Sequence, residues 1–225
     1  PGNGKEEKMK KALLLLGGSW HDFEGYSKWF IDFLTPLGWQ VEATYDFDRL
    51  LNLEKEKFDL VASYTCFSAN PDAENQKGSG KMEDDQVLAL HNWVLSGGAC
   101  FAIHGASVSG ETNPRYAKLV GGRFIKHPPA FEYCVYPMYK DHEIIKDIAA
   151  FTVNEELYIE TYEDTPIVLM GSMLDDVIHP MVWCKYEGLG RVVHNSLGHN
   201  SETWNMDEYK KLTQQSITWL LGWIQ

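Results

Sequence analysis

The first half of the chain alternates two hydrophobic periods. Ala12 to Leu16 is a continuous apolar run, which predicts a strand buried on both faces. Tyr26, Trp29, Phe30, Phe33, Leu34 and Leu37 recur at helical spacing, so Glu24–Leu37 reads as an amphipathic helix stopped by Gly38. Trp39–Tyr45 alternates as a second strand. Asp48–Lys57 reads as a short polar helix and Phe58–Thr65 as a third strand. Met82–Ser96 places Val87, Leu90, His91 and Val94 on one helical face before Gly97-Gly98, and Ala99–Ile103 is a fourth strand. This order predicts a parallel sheet covered by helices. The polar stretch 66–81 is a long loop at the strands' carboxyl edge.

After about residue 120 the pattern changes. Short strands are predicted at Phe131–Met138, Pro166–Met170, Met181–Lys185 and Arg191–Ser196, separated by turns such as "YEGLG". They predict a mixed or antiparallel extension of the sheet. Asp207–Trp223 reads as a closing helix with Tyr209, Leu212, Trp219, Leu220 and Trp223 near one face. The whole is expected to be an α/β three-layer sandwich with a central, mostly parallel sheet.

Charge and composition narrow the partners. The 225 residues carry a formal net charge of −12, which repels phosphate backbones and argues against nucleic acid or a membrane surface as partner. Neutral or cationic small molecules fit better. Cys66, Cys100, Cys134 and Cys184 form no C-x-x-C pair, so reduced thiols in a cytoplasmic protein are expected. Residues 1–10 are polar and read as a disordered or cloning-derived tail without the apolar core of a signal peptide. No apolar run approaches the roughly 18 residues that span a bilayer.

Candidate chemistry gathers at strand ends, where open α/β sheets bind ligands. His21 follows the first strand, His104 directly ends the fourth in "AIHGAS", and His199 follows the last in "VVHNSLGHN". Each has a plainer reading: His21 as a helix cap or a loop hydrogen bond, His104 as a satisfied core residue, His199 as part of a turn. His127 stands before two prolines in "GGRFIKHPP", and Glu155 and Glu156 precede Leu157-Tyr158. His91 and His194 read as structural. Imidazoles with one or two carboxylates can move protons or bind a divalent metal such as zinc. The chain lacks H-E-x-x-H, G-x-S-x-G and G-x-G-x-x-G, so no nucleotide cofactor is expected; a metal has His21, His104 and His199 as its candidate ligands, with His127 or Glu156 able to complete its shell.

The stretches "LLLLGGSWHDF", "AIHGAS", "LVGGRFIKHP", "DHEI", "EELY", "HPMVW" and "GLGRVVHNSLGHNSETW" occur in this order over almost the whole chain. Together they resemble the ThuA-like (trehalose utilisation) family, whose fold is that of the class I glutamine amidotransferases, a flavodoxin-like arrangement. The resemblance implies one such domain over 11–225. It puts His104 where an amidotransferase carries its nucleophilic cysteine, and His199 with Glu202 where the late histidine and its acidic partner stand. An imidazole at that turn cannot form a thioester, so glutamine hydrolysis is not expected. The family is associated with catabolism of trehalose, related disaccharides and their 3-keto forms. Its recurring polar residues fall on His21, His104, His127, Glu156 and His199. Two motifs depart from the family pattern, Asp141-His142-Glu143-Ile144 and Glu155-Glu156-Leu157-Tyr158.

These readings assign acid/base roles to His104, His199 and Glu156 and substrate contacts to His21 and His127. Trp20 and Trp204 are the aromatics best placed to stack on a sugar, ahead of Phe23, Phe131 and Tyr158. The expected activity is that of a sugar hydrolase, lyase or isomerase. Two alternatives stand beside it: a non-catalytic sugar-binding or regulatory module, and an interaction protein whose exposed aromatics pack in a homo-oligomer.

Overall fold

The computed structural model describes residues 9–73, 76–163 and 165–222. Most of the expected N-terminal tail, and Trp223 of the closing helix, lie outside them. Lys10, assigned above to the tail, instead opens the first strand, β1 (Lys10–Gly18).

Five strands run parallel in the order β2 (Trp39–Thr44), β1, β3 (Leu60–Cys66), β4 (Ala99–Ile103) and β11 (Gly190–Asn195). This is the flavodoxin-like strand order, whose direction of winding switches between β1 and β3. The sheet continues antiparallel through β10 (Val177–Glu187), β9 (Ile167–Leu174), β6 (Phe131–Pro137) and β7 (Phe151–Glu155). The expected central sheet with its antiparallel extension is therefore present.

Alternation along β1 divides the interior in two. Ala12, Leu14 and Leu16 pack on the face covered by α1 (Phe23–Leu34), α5 (Ser201–Trp204) and α6 (Asp207–Leu220). Leu13 and Leu15 pack on the other, under α2 (Leu53–Glu56), α3 (Asp84–Leu95) and α4 (Pro114–Val120). Leu13, Leu14 and Leu15 are wholly buried, which explains why β1 reads as an unbroken apolar run rather than an alternating one.

Local chemistry moves several boundaries. The expected helix 24–37 ends at Leu34, and Thr35–Leu37 tightens into a 3-10 turn closed by Gly38 at φ 84°. Pro36 has no N–H to continue the α-helical ladder. The expected helix 48–57 is a 3-10 segment, Phe47–Asn52, followed by α2 alone. Several elements escaped the sequence pattern, among them α4, α5, β7, and the separate two-stranded antiparallel sheet of β5 (Gly122–Lys126) with β8 (Ile159–Tyr162). Among the described residues no helix is long and apolar enough to cross a membrane.

Candidate active site

The carboxyl ends of β1, β3, β4 and β11 open into a cavity of about 610 Å³ whose lining includes Trp20, His21, Cys66, His127, Glu156, Tyr158 and His199. Its floor needs close backbone approach. A Cβ on Gly18 would lie 2.1 Å from the carbonyl oxygen of Cys66, and one on Gly105 would lie 2.8 Å from that of Thr65, so only glycine fits at either place. Between these contacts the chain leaves β4 abruptly. His104 takes φ 47°, a left-handed conformation that a histidine holds only when its surroundings require it.

Backbone carbonyls orient two of the imidazoles. His21 donates from Nδ1 to the Ser19 carbonyl at 2.8 Å, and His104 donates from Nδ1 to the Ser196 carbonyl at 2.6 Å. In the neutral imidazole this leaves Nε2 as the lone-pair nitrogen of each ring. His21 Nε2 is buried and has no hydrogen-bond partner. Its ring centroid lies 4.8 Å from that of His104 and 4.9 Å from that of His199. Burial, reinforced by these two neighbours, pushes its pKa down to about 3, so His21 is neutral at physiological pH.

His199 arrives from the loop after β11. Its backbone N–H donates to Glu155 Oε1 at 3.0 Å and Oε2 at 3.1 Å, and Gly198 N–H donates to Oε1 at 3.3 Å. Its Nδ1 faces His104 Nε2 at 3.2 Å and Glu156 Oε2 at 3.3 Å. Burial opposes a charge on His199, but the Glu156 and Glu155 carboxylates outweigh it and raise the pKa. Burial likewise opposes the Glu156 carboxylate, and hydrogen bonds and charge from His104 and His199 outweigh it, holding Glu156 well below the usual range. Glu156 Oε1 also reaches to 3.6 Å from His127 Nε2, whose ring is anchored by an Nδ1 donation to the Pro128 carbonyl at 2.7 Å. One ligand atom each from His21, His104, Glu156 and His199 fall within 4.8 Å of one another. Three imidazoles and a carboxylate form a set that suits a divalent transition metal.

The structure thus brings together His21, His104, His127, Glu156 and His199, and it separates other candidates. Trp20, at φ 65° and 48% exposed, lies on the cavity wall. Trp204 does not. It is buried in the core, and its indole N–H donates to the Gly198 carbonyl at 2.6 Å, so the expected sugar contact gives way to a structural one. Phe23 is core as well, and Phe131 packs against the core without lining the cavity. Glu202 is exposed at the start of α5 (Ser201–Trp204), and the carboxylates beside His199 are Glu155 and Glu156. Asp22 caps α1, accepting from Gly25 N–H at 2.9 Å. His194 is buried as expected and meets Glu160 at 3.2 Å. His91 hydrogen-bonds Glu187 at 2.8 Å, a more polar setting than its apolar helix face suggested.

Several lining residues carried no signal. Ser68, Asn70, Val108, Glu111 and Phe124 complete the wall. The sequence places the 66–81 loop at the carboxyl edge but singles out no residue in it; Glu111 holds its start through Ser68 Oγ at 3.0 Å and Ala69 N–H at 2.9 Å. Tyr158 stood out only as an aromatic, yet its hydroxyl meets His104 Nε2 at 3.0 Å. Burial pushes its phenol well above the ordinary value, so the O–H keeps its proton. A larger groove of about 720 Å³ beside Tyr136, Lys140 and Ile148 has no histidine in its lining.

A family model described as trehalose utilisation, ThuA, matches residues 11–220. No curated protein matches the chain. Among solved structures, a ThuA-like protein from Parabacteroides merdae superposes with a TM-score of 0.78 at 15% identity, covering 95% of this chain and 90% of that one. A second, from Bacteroides uniformis, gives 0.73 at 18% identity, with 98% and 94% covered. A β-galactosidase from Bacillus circulans gives 0.62 at 11% identity, and there the match takes up 95% of this chain but 31% of the galactosidase. At such identities the structural likeness concerns the fold.

Proposed function

This chain belongs to the ThuA, trehalose-utilisation, family, which gives it a role in sugar metabolism, and from its site we propose that it is an enzyme of sugar catabolism. Its substrate is trehalose or a related disaccharide, including 3-keto forms, and its centre is His21, His104, His199 and Glu156. One observation carries the reading: His21 Nε2 is buried and unpartnered, in a residue whose ligand atom lies within 4.8 Å of one from each of the other three. An orphaned lone pair in such a place is costly unless something fills it. The donor set fits a divalent cation such as zinc, held by the three imidazoles and Glu156. Such an ion supplies Lewis-acid polarisation of a sugar carbonyl or hydroxyl oxygen.

The chain's own groups do the rest. The backbone carbonyls of Ser19 and Ser196 fix the tautomers of His21 and His104. Glu156 turns Oε2 to His104 and His199 and Oε1 to His127, so Oε1 is the atom left to exchange a proton with the substrate. His127 faces Glu156 from the opposite wall and is placed to hold a substrate oxygen, and Trp20 offers a face for a pyranose ring. Free thiols at all four cysteines suit the cytoplasm.

Metal analysis of protein purified without chelators should find about one zinc per chain. His21→Ala should weaken zinc by more than about 100-fold. With trehalose and 3-keto-trehalose followed by NMR, His104→Ala and His199→Ala should abolish turnover while the protein stays folded. Turnover retained in both variants overturns the assignment, and sugar binding without turnover by the wild type marks a binding module instead.

A further inference from the structure

His104 Nε2 has more partners than it can serve. Nδ1 donates to Ser196, so neutral His104 has one lone pair, on Nε2. Around that atom stand the Tyr158 hydroxyl at 3.0 Å, His199 Nδ1 at 3.2 Å and Glu156 Oε2 at 3.6 Å. The Glu156 carboxylate brings no proton, and His199 can direct an Nδ1 proton to Glu156 at 3.3 Å. For neutral His104, with the His199 proton on Glu156, the donor to Nε2 is the Tyr158 O–H.

Tyr158 cannot swing away from this place. Its ring is 2% exposed and stacks on His104 at 4.4 Å. It meets the Phe124 ring edge-on at 4.6 Å and lies parallel to His127 at 5.7 Å. The phenolic oxygen is thereby fixed beside the four-ligand cluster, and only the direction of its proton is free to change.

We propose that Tyr158 is a catalytic residue: with a divalent cation on the lone pair of His104 Nε2, the Tyr158 O–H turns to donate to the sugar oxygen held in the cavity. This rests on the metal reading given above. One sp2 nitrogen lone pair serves either a ligand bond or an O–H donor, not both, and a buried hydroxyl deprived of its acceptor must find another. The acceptor available on that side is whatever fills the cavity that Tyr158 lines. A donor fixed beside an oxygen that gains negative charge in the transition state stabilises that charge without reorganising. When the cluster holds a cation, Tyr158 would supply its hydrogen bond to the substrate, and the hydrogen bond to His104 is the resting partner of that catalytic donor.

Tyr158→Phe tests this, since phenylalanine keeps the ring and its stacking. Zinc is titrated into wild type and variant by calorimetry at pH 7. The zinc-loaded proteins are then titrated with acetohydroxamate, a chelator whose oxygens stand in for those of the substrate. The variant should bind zinc no more weakly, and up to about fivefold more tightly, because the competing O–H···N bond is gone. It should bind acetohydroxamate about tenfold more weakly. Independently of the variant, tyrosine absorption of the wild type should shift on zinc addition. Weaker zinc binding by the variant would show that the phenol supports His104, and equal acetohydroxamate affinity would show that the O–H never reaches the ligand. Either result, or an unchanged tyrosine spectrum, overturns the inference while leaving the metal reading intact. A wild type that takes up no zinc overturns both.

Discussion

Glu155 is wholly buried, and its carboxylate closes the backbone turn that delivers His199. Replacing it by alanine strands two amide donors, Gly198 N–H and His199 N–H, inside the protein. Each unsatisfied buried donor costs about 1–3 kcal/mol, and the lost methylene adds about 0.8 kcal/mol. Glu155→Ala should therefore destabilise by about 3–7 kcal/mol. Glu155→Gln keeps one acceptor oxygen and the side-chain volume, so it should cost only about 1–2 kcal/mol. Urea unfolding followed by tryptophan fluorescence reads both. At a slope of about 3 kcal/mol per molar, alanine lowers the midpoint by about 1–2 M and glutamine by less than about 0.7 M. Zinc affinity should fall in the same order, because His199 loses its fixed backbone. A loss below about 1 kcal/mol in Glu155→Ala would refute the reasoning, since water or a relaxed loop would then be satisfying both amides.

Three other outcomes follow from the same geometry. Metal-free protein should be most stable near pH 6.5, as urea unfolding across pH would show. His21 stays neutral down to about pH 3 when folded but protonates near 6.5 when unfolded, so stability falls by up to about 1.4 kcal/mol per pH unit below 6.5, joined below 4.5 by the lowered Glu156. His199, raised when folded, contributes stability that is full below 6.5 and is lost as pH rises through its folded value, and His21→Gln should flatten only the acid arm. Trp204→Ala should cost about 3–5 kcal/mol in the same unfolding assay, whereas Trp20→Ala should change stability by less than about 0.5 kcal/mol and weaken sugar binding. A thiol reagent should label Cys134 quickly in native protein and the other three only in denaturant, because Cys66, Cys100 and Cys184 are buried and burial pushes the latter two up to about 12.

Much of the architecture was legible in local pattern. The apolar runs at Leu13–Leu16 and Ala99–Ile103 are strands buried on both faces, and burial of that kind leaves an unbroken hydrophobic signature. The position of His21, His104 and His199 beyond strand ends followed from the same runs, because a parallel sheet sends all its carboxyl ends to one edge. The two-stranded sheet of β5 and β8 stayed hidden because Arg123, Lys126 and Glu160 break any clean alternation, and the two strands are distant in sequence and pair with each other away from the main sheet. Boundaries near Pro36 and Asn52 shifted because 3-10 turns and caps answer to single residues rather than to periodicity.

The chemistry of the site divides along the same line. Sequence alone determined which residue types stand at the strand ends and that no amidotransferase cysteine occupies the turn at His104. Only the tertiary structure decided which carboxylate meets His199. Glu202 is near in sequence, yet Glu156 is near in space because β7 and β8 carry it across the sheet edge. It also decided which tryptophan is free, since Trp20 and Trp204 each flank a histidine and differ only in what packs over them. The direction of a lone pair is non-local as well. The Nδ1 atoms of His21 and His104 are held by the Ser19 and Ser196 carbonyls, and for His104 that carbonyl is 92 residues away. Spacing along a chain encodes burial, whereas proton and lone-pair placement depends on contacts that exist only once the sheet has closed.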